Sequence, residues 1–206
     1  ARVPDYIAEA RRLAQAYQGE IDVYCGEEWD LHGAFPAMAL DYVIGSVHHI
    51  EKNGMLSCVD NSAEETERTL TEYFDQDADA MAEAYFRQYD ALAKVDAVDI
   101  VGHFDLLTKF DEQRRFFDPA SPRYQKAAGQ ALDALIAAGK ILEINTGAIS
   151  RGYRTTPYPS RALLTKIRAR GGKITISADA HRVEDVDFGF AEAEALAFAC
   201  GFREIW

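Results

Sequence analysis

The stretch Gly171-Gly172-Lys173-Ile174-Thr175-Ile176-Ser177-Ala178-Asp179-Ala180-His181 is the part of the sequence from which the fold can be worked out. Its two glycines end a helix, and residues 173–177 are apolar and β-branched enough for a buried parallel strand. Asp179 and His181 follow two residues apart, so a carboxylate and an imidazole can point into the same space. Such a pair suits a divalent cation or a proton relay. A turn aspartate beside a solvated histidine explains this stretch, taken alone, equally well.

Strand-like segments of this kind alternate with helical segments along the whole chain. Besides residues 173–177, strands are predicted at residues 21–25, 42–47, 97–101, 141–144 and 202–206. One of the helical patterns between them opens with a capping box at Ser62 and Glu65, another has Pro122 at its first position, and a short helix is predicted around residues 36–40. The alternation predicts an α/β fold with parallel strands and helical crossovers, as either a closed barrel or a doubly wound sheet.

Polar residues follow the carboxyl ends of strand after strand, which favours the barrel. They are Glu28, His48, His103, Asn145, Asp179 and His181. In a (β/α) barrel the loops after the strands converge on one face, where active sites lie. A single histidine of this kind is more often structural than a ligand. Three histidines in the same position relative to their strands indicate a metal site.

Composition and charge restrict the possible partners. The chain has 206 residues, of which 48% are hydrophobic and 27% charged, as expected for a single globular domain. No apolar run reaches the length of a membrane span. A formal net charge of -12 argues against nucleic acid and anionic membranes as partners. Three cysteines without a CxxC pair favour a reducing compartment, and we expect the cytoplasm.

Five segments resemble one known family, the PHP-type histidinol-phosphate phosphatases, in their order and spacing. They are residues 26–30 (GEEWD), 44–49 (IGSVHH), 101–105 (VGHFD), 142–147 (LEINTG) and 177–181 (SADAH). The resemblance implies a distorted (β/α)7 PHP-type barrel with up to three divalent metal ions, which could be zinc, iron or manganese. It also implies a hydrolase of histidine biosynthesis whose small phosphorylated substrate is L-histidinol phosphate.

The same resemblance implies roles for individual residues. Glu28 resembles the carboxylate that bridges two metal ions, and His48 and His103 resemble its companion ligands on one of them. Asp179 would bind the other bridged ion and His181 a third. Either Asp179 or His181 could also move a proton during catalysis.

Three residues on the loop after the Asn145 strand resemble the substrate phosphate-binding loop of the family. They are Ser150, Arg151 and Arg154. Because a planar guanidinium matches pairs of phosphate oxygens, this assignment is physically sensible; a solvated basic loop has the same composition. His49 remains an alternative ligand to His48, since two adjacent histidines cannot be ranked from sequence.

The sequence departs from the family pattern at its start. The family opens with a strand carrying an HxH motif, whereas the first histidine here is His32. We therefore expect a truncated chain that lacks the first βα unit of the barrel and two ligands of one metal ion. From this we expect weak activity, roughly one bound metal ion and a tendency to form homo-oligomers through unpaired sheet edges.

Two other functions are compatible with these residues. One is a PHP phosphoesterase acting on nucleotides or nucleic acid ends, although the negative net charge argues against a polymer. The other is a non-catalytic PHP-like domain kept for binding. No nucleotide cofactor is expected, because the glycines at 147 and 152 continue with Tyr153 rather than the lysine of a phosphate-binding loop.

Overall fold

A five-stranded parallel sheet organises the structure, a computed structural model that describes residues 3–35, 38–113 and 115–206. In chain order the strands of the molecule are β1 (Gly26–Asp30), β2 (Tyr42–Ser46), β3 (His49–Lys52), β4 (Met55–Cys58), β5 (Ile100–Val101), β6 (Ile141–Asn145) and β7 (Lys173–Ser177). β3 and β4 form a separate antiparallel hairpin, and the other five form the parallel sheet. The predicted parallel α/β architecture is confirmed.

The spatial order of the sheet, β1-β2-β5-β6-β7, is also the order of these strands along the chain. Each neighbouring pair is parallel. A doubly wound sheet reverses its strand order at a switch point. The described strands show no such reversal, so the barrel-type arrangement is favoured over the doubly wound one. The carboxyl ends of the five strands lie along one edge of the sheet. The polar residues singled out from the sequence lie near this edge.

Helices connect and cover the strands of the described chain. They are α1 (Val3–Ala16), α2 (Ala63–Phe74), α3 (Ala78–Arg87), α4 (Tyr89–Leu92), α5 (Pro122–Ala137), α6 (Gly147–Ser150), α7 (Arg161–Ala169) and α8 (Phe190–Ala199). The predicted helix starts are confirmed: Ser62 accepts a 3.1 Å hydrogen bond from the amide of Glu65, and Pro122 is the first residue of α5. These features suit the first turn, where amides lack helical partners. Of the helices described, none is both long and apolar enough to cross a membrane.

The aromatic core fixes the loop that follows β5. Phe86, Tyr89, Phe104 and Tyr124 are each at most 1% exposed. The ring centroids of Phe86 and Tyr124 lie 5.1 Å apart, and those of Tyr89 and Phe104 lie 4.8 Å apart. The hydroxyl of Tyr89 also donates a 2.9 Å hydrogen bond to the carbonyl of Phe104. This packing anchors the segment directly after His103.

Two predicted strands are wrong. Residues 21–25 form no strand, and Ile21 and Tyr24 are 62% and 65% exposed. The first strand is instead β1. An edge strand needs to bury few side chains, so β1 can have a polar sequence, and hydrophobic residues do not mark it as a strand. Residues 202–206 also form no strand, although the amide of Trp206 donates a 2.9 Å hydrogen bond to the carbonyl of Ile174.

Two more local features differ from expectation. The β3–β4 hairpin was not predicted from the sequence. Of the short helix predicted around residues 36–40, residues 36 and 37 lie outside the described residues, and residues 38–40 are not helical.

Candidate metal and phosphate site

Glu28, His48 and His103 lie together at the carboxyl edge of the sheet. Their potential ligand atoms all lie within 4.8 Å of one another. Glu28 Oε1 is 3.0 Å from His103 Nε2 and 3.3 Å from His48 Nε2. The two imidazole rings meet edge to face, with centroids 5.0 Å apart. The segments of β1, β2 and β5 thus direct one carboxylate and two imidazoles at one point.

The three side chains differ in burial but are coupled electrostatically. The His103 side chain is 6% exposed, whereas Glu28, on an edge strand, keeps 40% of its side chain exposed. Burial alone would raise the pKa of Glu28, but hydrogen bonds from His103 and His48 outweigh it and hold that pKa well below its usual range. Burial would lower the pKa of His48, yet its hydrogen bond to Glu28 raises this pKa to about 9. The carboxylate therefore favours positive charge at the position where a cation would bind.

Asp30 and Ser46 orient the cluster and were not singled out from the sequence. Asp30 Oδ2 lies 3.0 Å from His48 Nδ1, which leaves the Nε2 atom of His48 directed towards Glu28. Ser46 donates a 2.7 Å hydrogen bond to Glu28 Oε1. Such contacts fix the orientation and the tautomer of metal ligands. The sequence signal for Asp30 is its spacing of two residues from Glu28, which puts both side chains on one face of β1.

Glu143 fixes the loop that carries His103. It is only 2% exposed, and Oε2 accepts hydrogen bonds from the His103 amide (2.8 Å) and from Asn145 Nδ2 (3.0 Å). Gly102 allows the close approach of this loop to β2, since a Cβ atom there would come 2.5 Å from Ser46 Oγ. A glutamate inside an otherwise apolar strand is the signal that could have identified Glu143, because carboxylates are rarely buried without a partner.

A cavity of about 270 Å³ opens over the cluster. Besides the three-residue cluster and two tyrosines, the cavity is lined by five charged or titratable residues: Asp60, Lys109, Arg151, Asp179 and His181. Tyr153 and Tyr158 form part of its wall. The structure therefore brings Arg151, Asp179 and His181, each singled out from the sequence, to the same cavity as the three-residue cluster.

Asp179 and Arg151 form an ion pair in this cavity. Arg151 donates 2.8 Å hydrogen bonds to the Oδ2 atom and to the carbonyl oxygen of Asp179. Asp179 has a φ of 48°, a left-handed conformation that aspartate tolerates better than most residues. His181 Nε2 lies 3.3 Å from Asp179 Oδ1, and 70% of the His181 side chain is exposed. Asp179 is thus held firmly, while His181 is accessible to a ligand.

Lys109 and Asp60 form a second ion pair on the cavity wall, which the sequence did not reveal. Lys109 Nζ donates a 2.8 Å hydrogen bond to the carbonyl of Asp60 and lies 3.5 Å from its Oδ2 atom. The same ammonium lies 4.7 Å from the ring centroid of Tyr153. The attraction of Lys109 contributes to lowering the pKa of Asp60 against the effect of burial, after the larger contribution of the Cys58 thiol. Lys109 belongs to no recognisable motif, so only its position in the loop after β5 could have identified it.

Three residues that the sequence proposes as phosphate-binding residues or as an alternative metal ligand do not line this cavity. Arg154 stacks over the ring of Tyr158 at 4.5 Å and lines a separate cavity. The Ser150 hydroxyl donates a 3.0 Å hydrogen bond to a backbone carbonyl within α6. His49 begins β3, and its Nδ1 atom lies 3.5 Å from Asp30 Oδ2. The roles of Ser150 and Arg154 in phosphate binding stay predictions.

The donor set of the cluster fits a divalent metal ion. In a tetrahedral site with bonds of about 2.0 Å, ligand atoms lie about 3.3 Å apart. The separations of 3.0 Å and 3.3 Å from Glu28 Oε1 to His103 Nε2 and His48 Nε2 are close to this value. Two imidazole nitrogens and one carboxylate oxygen suit zinc, iron or manganese.

Comparisons with known proteins find a family model and relatives that match most of the chain. The family model described as "PHP domain" matches residues 1–147. A "Probable histidinol-phosphatase" of Deinococcus radiodurans is 32% identical over 203 aligned positions, gaps included, and this alignment covers 93% of this chain and 70% of that protein. A "Probable histidinol-phosphatase" of Schizosaccharomyces pombe is 26% identical over 212 aligned positions, gaps included, and this alignment covers 98% of this chain and 67% of that protein.

A solved structure shares the fold. The histidinol phosphate phosphatase of Lactococcus lactis, in complex with zinc, L-histidinol and phosphate, matches with a TM-score of 0.70. The match covers 99% of this chain and 76% of that one, at 20% sequence identity. At this identity the similarity establishes the fold.

Proposed function

Because the chain belongs to the PHP domain family, we propose that it acts as a metal-dependent phosphatase that hydrolyses L-histidinol phosphate to L-histidinol and phosphate. We further propose that residues 1–206 form one domain of this enzyme. The observation that carries the proposal is the Glu28, His48 and His103 cluster at a cavity that also presents cations. The names of the two relatives and the ligands of the Lactococcus lactis structure support the choice of substrate.

The charge of the cavity explains why phosphate binding needs a metal ion. The lining holds three carboxylates, from Glu28, Asp60 and Asp179, against two cations, from Lys109 and Arg151. One net negative charge remains when the histidines are neutral, as they must be to bind a metal. A phosphate dianion would be repelled by this charge, and a divalent cation reverses its sign.

We assign one metal ion to Glu28, His48 and His103. Asp179 and His181 face the same cavity and would contribute to further ions, in the way that the family resemblance implies. Glu28, His48 and His103 would hold this ion, which would lower the pKa of a coordinated water towards about 7 and offset negative charge on the phosphate oxygens.

The other residues position the phosphate and handle protons. Arg151 reaches the cavity while paired with Asp179, and its guanidinium can donate to phosphate oxygens as negative charge develops. His181 is exposed and lies 3.3 Å from Asp179. If His181 acts as the proton donor rather than as a metal ligand, it gives its proton to the histidinol oxygen as water attacks phosphorus and the P–O bond to histidinol breaks, and Asp179 stabilises the charged imidazole.

Phosphate release by the metal-loaded protein tests the proposed function. We expect kcat/KM for L-histidinol phosphate to exceed the values for nucleoside monophosphates and for a 5′-phosphorylated oligonucleotide. Faster turnover of a nucleotide would favour a nucleotide phosphoesterase. Failure to hydrolyse any of these phosphomonoesters would favour a non-catalytic binding domain.

A matched pair of variants on β1 connects the activity to the cluster. Glu28→Gln removes the carboxylate shared by both histidines, and we expect loss of bound metal and of turnover. Glu27→Gln makes the same change one residue earlier, where the side chain points to the other face of the strand. Equal metal content and turnover in the two variants would contradict the assignment.

A further inference from the structure

Given the phosphatase function proposed above, on which this step rests, we propose that Lys109 binds the phosphate group of the substrate. Lys109 lines the same cavity as Glu28 and His103. It belongs to the loop after β5, which also carries His103, and a short 3-10 turn at Leu106–Thr108 separates the two residues. One loop thereby delivers a proposed metal ligand and a cation to the same space.

Lys109 has donor capacity to spare and would bind phosphate alongside Arg151, which is the other cation of this cavity. Arg151 uses two guanidinium nitrogens on Asp179, each at 2.8 Å. Arg154 lines a different cavity. Among the described residues, Lys109 Nζ makes one short hydrogen bond, to the Asp60 carbonyl, and a 3.5 Å contact to Asp60 Oδ2. An ammonium carries three N–H donors, so Lys109 can also donate to a phosphate oxygen.

The surroundings of Lys109 make such a contact strong. Its side chain is 12% exposed and lies against the ring of Tyr153, which restricts its motion. A charge-assisted hydrogen bond in a partly desolvated cavity is stronger than one at the open surface. Because the ammonium is already held in place, little side-chain entropy is lost when phosphate binds.

The alternative is that Lys109 is purely structural and holds the segment around Asp60 in place. A structural role predicts a loss of thermal stability with unchanged affinity for phosphate. A phosphate-binding role instead predicts weaker phosphate binding with unchanged metal content. The two roles can therefore be separated by measuring binding directly rather than activity alone.

The test is isothermal titration calorimetry of inorganic phosphate with the metal-loaded protein. The variants are Lys109→Met, which keeps a long apolar side chain without the charge, and Lys109→Arg, which keeps the charge. Lys126→Met is the matched control, because Lys126 is exposed and does not line this cavity. Bound metal is measured in every sample.

We expect the phosphate Kd to rise about tenfold or more in Lys109→Met, as for the loss of one hydrogen bond to a charged group. Lys109→Arg should recover part of the affinity, and Lys126→Met should match the wild type. KM for L-histidinol phosphate should rise in Lys109→Met with a smaller change in kcat, since the contact exists in both ground and transition states.

Three outcomes would overturn the assignment: an unchanged phosphate Kd in Lys109→Met, an equal loss in Lys126→Met, or loss of bound metal together with phosphate in Lys109→Met. Phosphate binding through Lys109 without hydrolysis of L-histidinol phosphate would refute the proposed function alone. Hydrolysis of this substrate with an unchanged phosphate Kd in Lys109→Met would refute the role of Lys109 alone.

Discussion

The backbone amide of His103 donates a 2.8 Å hydrogen bond to Oε2 of Glu143, a residue of the neighbouring strand that is 2% exposed. The same oxygen accepts from Asn145 Nδ2, and this amide also lies 3.3 Å from Asp179 Oδ2. One buried carboxylate thus connects the loop of a proposed metal ligand with the ion pair of Asp179. Burial of a carboxylate is costly unless it is hydrogen-bonded, so Glu143 serves to hold the two parts of the site together.

Replacing Glu143 should destabilise the fold. In Glu143→Ala the amides of His103 and Asn145 lose their acceptor, and we expect the free energy of unfolding to fall by about 2–4 kcal/mol. Glu143→Gln keeps an acceptor oxygen of similar shape and should cost less. Urea denaturation measures both, with the exposed Glu194→Ala on α8 as control. Equal stability of Glu143→Ala and Glu194→Ala would show that Glu143 is not a structural anchor.

The sequence predicts the positions of Glu28, His48 and His103 well for a simple reason. Parallel strands end at one edge of the sheet, so a polar residue near the end of each strand is brought to the others. The prediction needs only the approximate end of each strand, not its exact bounds. The proximity of the three residues is therefore expected even though the first strand was placed five residues too early.

Residues that act through tertiary contacts could not be predicted in the same way. Lys109 has no motif, and its place in the cavity depends on the turn at Leu106–Thr108 and on packing against Tyr153. Arg151 and Arg154 look alike in sequence, yet one pairs with Asp179 and the other stacks on Tyr158. Side-chain direction on an irregular loop is set by its neighbours, which the sequence pattern does not specify.

Asp30 should control the metal affinity of His48. Asp30→Asn replaces the carboxylate that lies 3.0 Å from His48 Nδ1, so the imidazole loses the partner that fixes its orientation and raises its basicity. We expect metal affinity to fall by about 10–100-fold, measured by competition with a chelating dye. Asp22→Asn, at an exposed position before β1, is the control. Unchanged affinity in Asp30→Asn would mean that other contacts suffice to orient His48.

Bound metal should stabilise the native protein. A ligand that binds only the folded state at a free concentration of 100 times its Kd adds about 2.7 kcal/mol, so zinc or manganese should raise Tm and a chelator should reverse the rise. Glu28→Gln should lose most of this rise, and Glu27→Gln should retain it. A metal-dependent rise in Tm that is identical in both variants would place the metal elsewhere on the chain.

Replacing Arg151 should affect phosphate affinity and replacing Arg154 should affect stability, although the sequence predicts phosphate binding for both. Arg151 lines the cavity of the cluster, so Arg151→Met should weaken inhibition by inorganic phosphate by about tenfold, as for one charge-assisted hydrogen bond. Arg154 instead stacks on Tyr158 and donates a 3.1 Å hydrogen bond to the Thr108 carbonyl. Arg154→Met should therefore lower thermal stability more than phosphate affinity. Phosphate inhibition and Tm, measured on both variants, separate the two roles, and equal losses of phosphate affinity would restore Arg154 to the phosphate site.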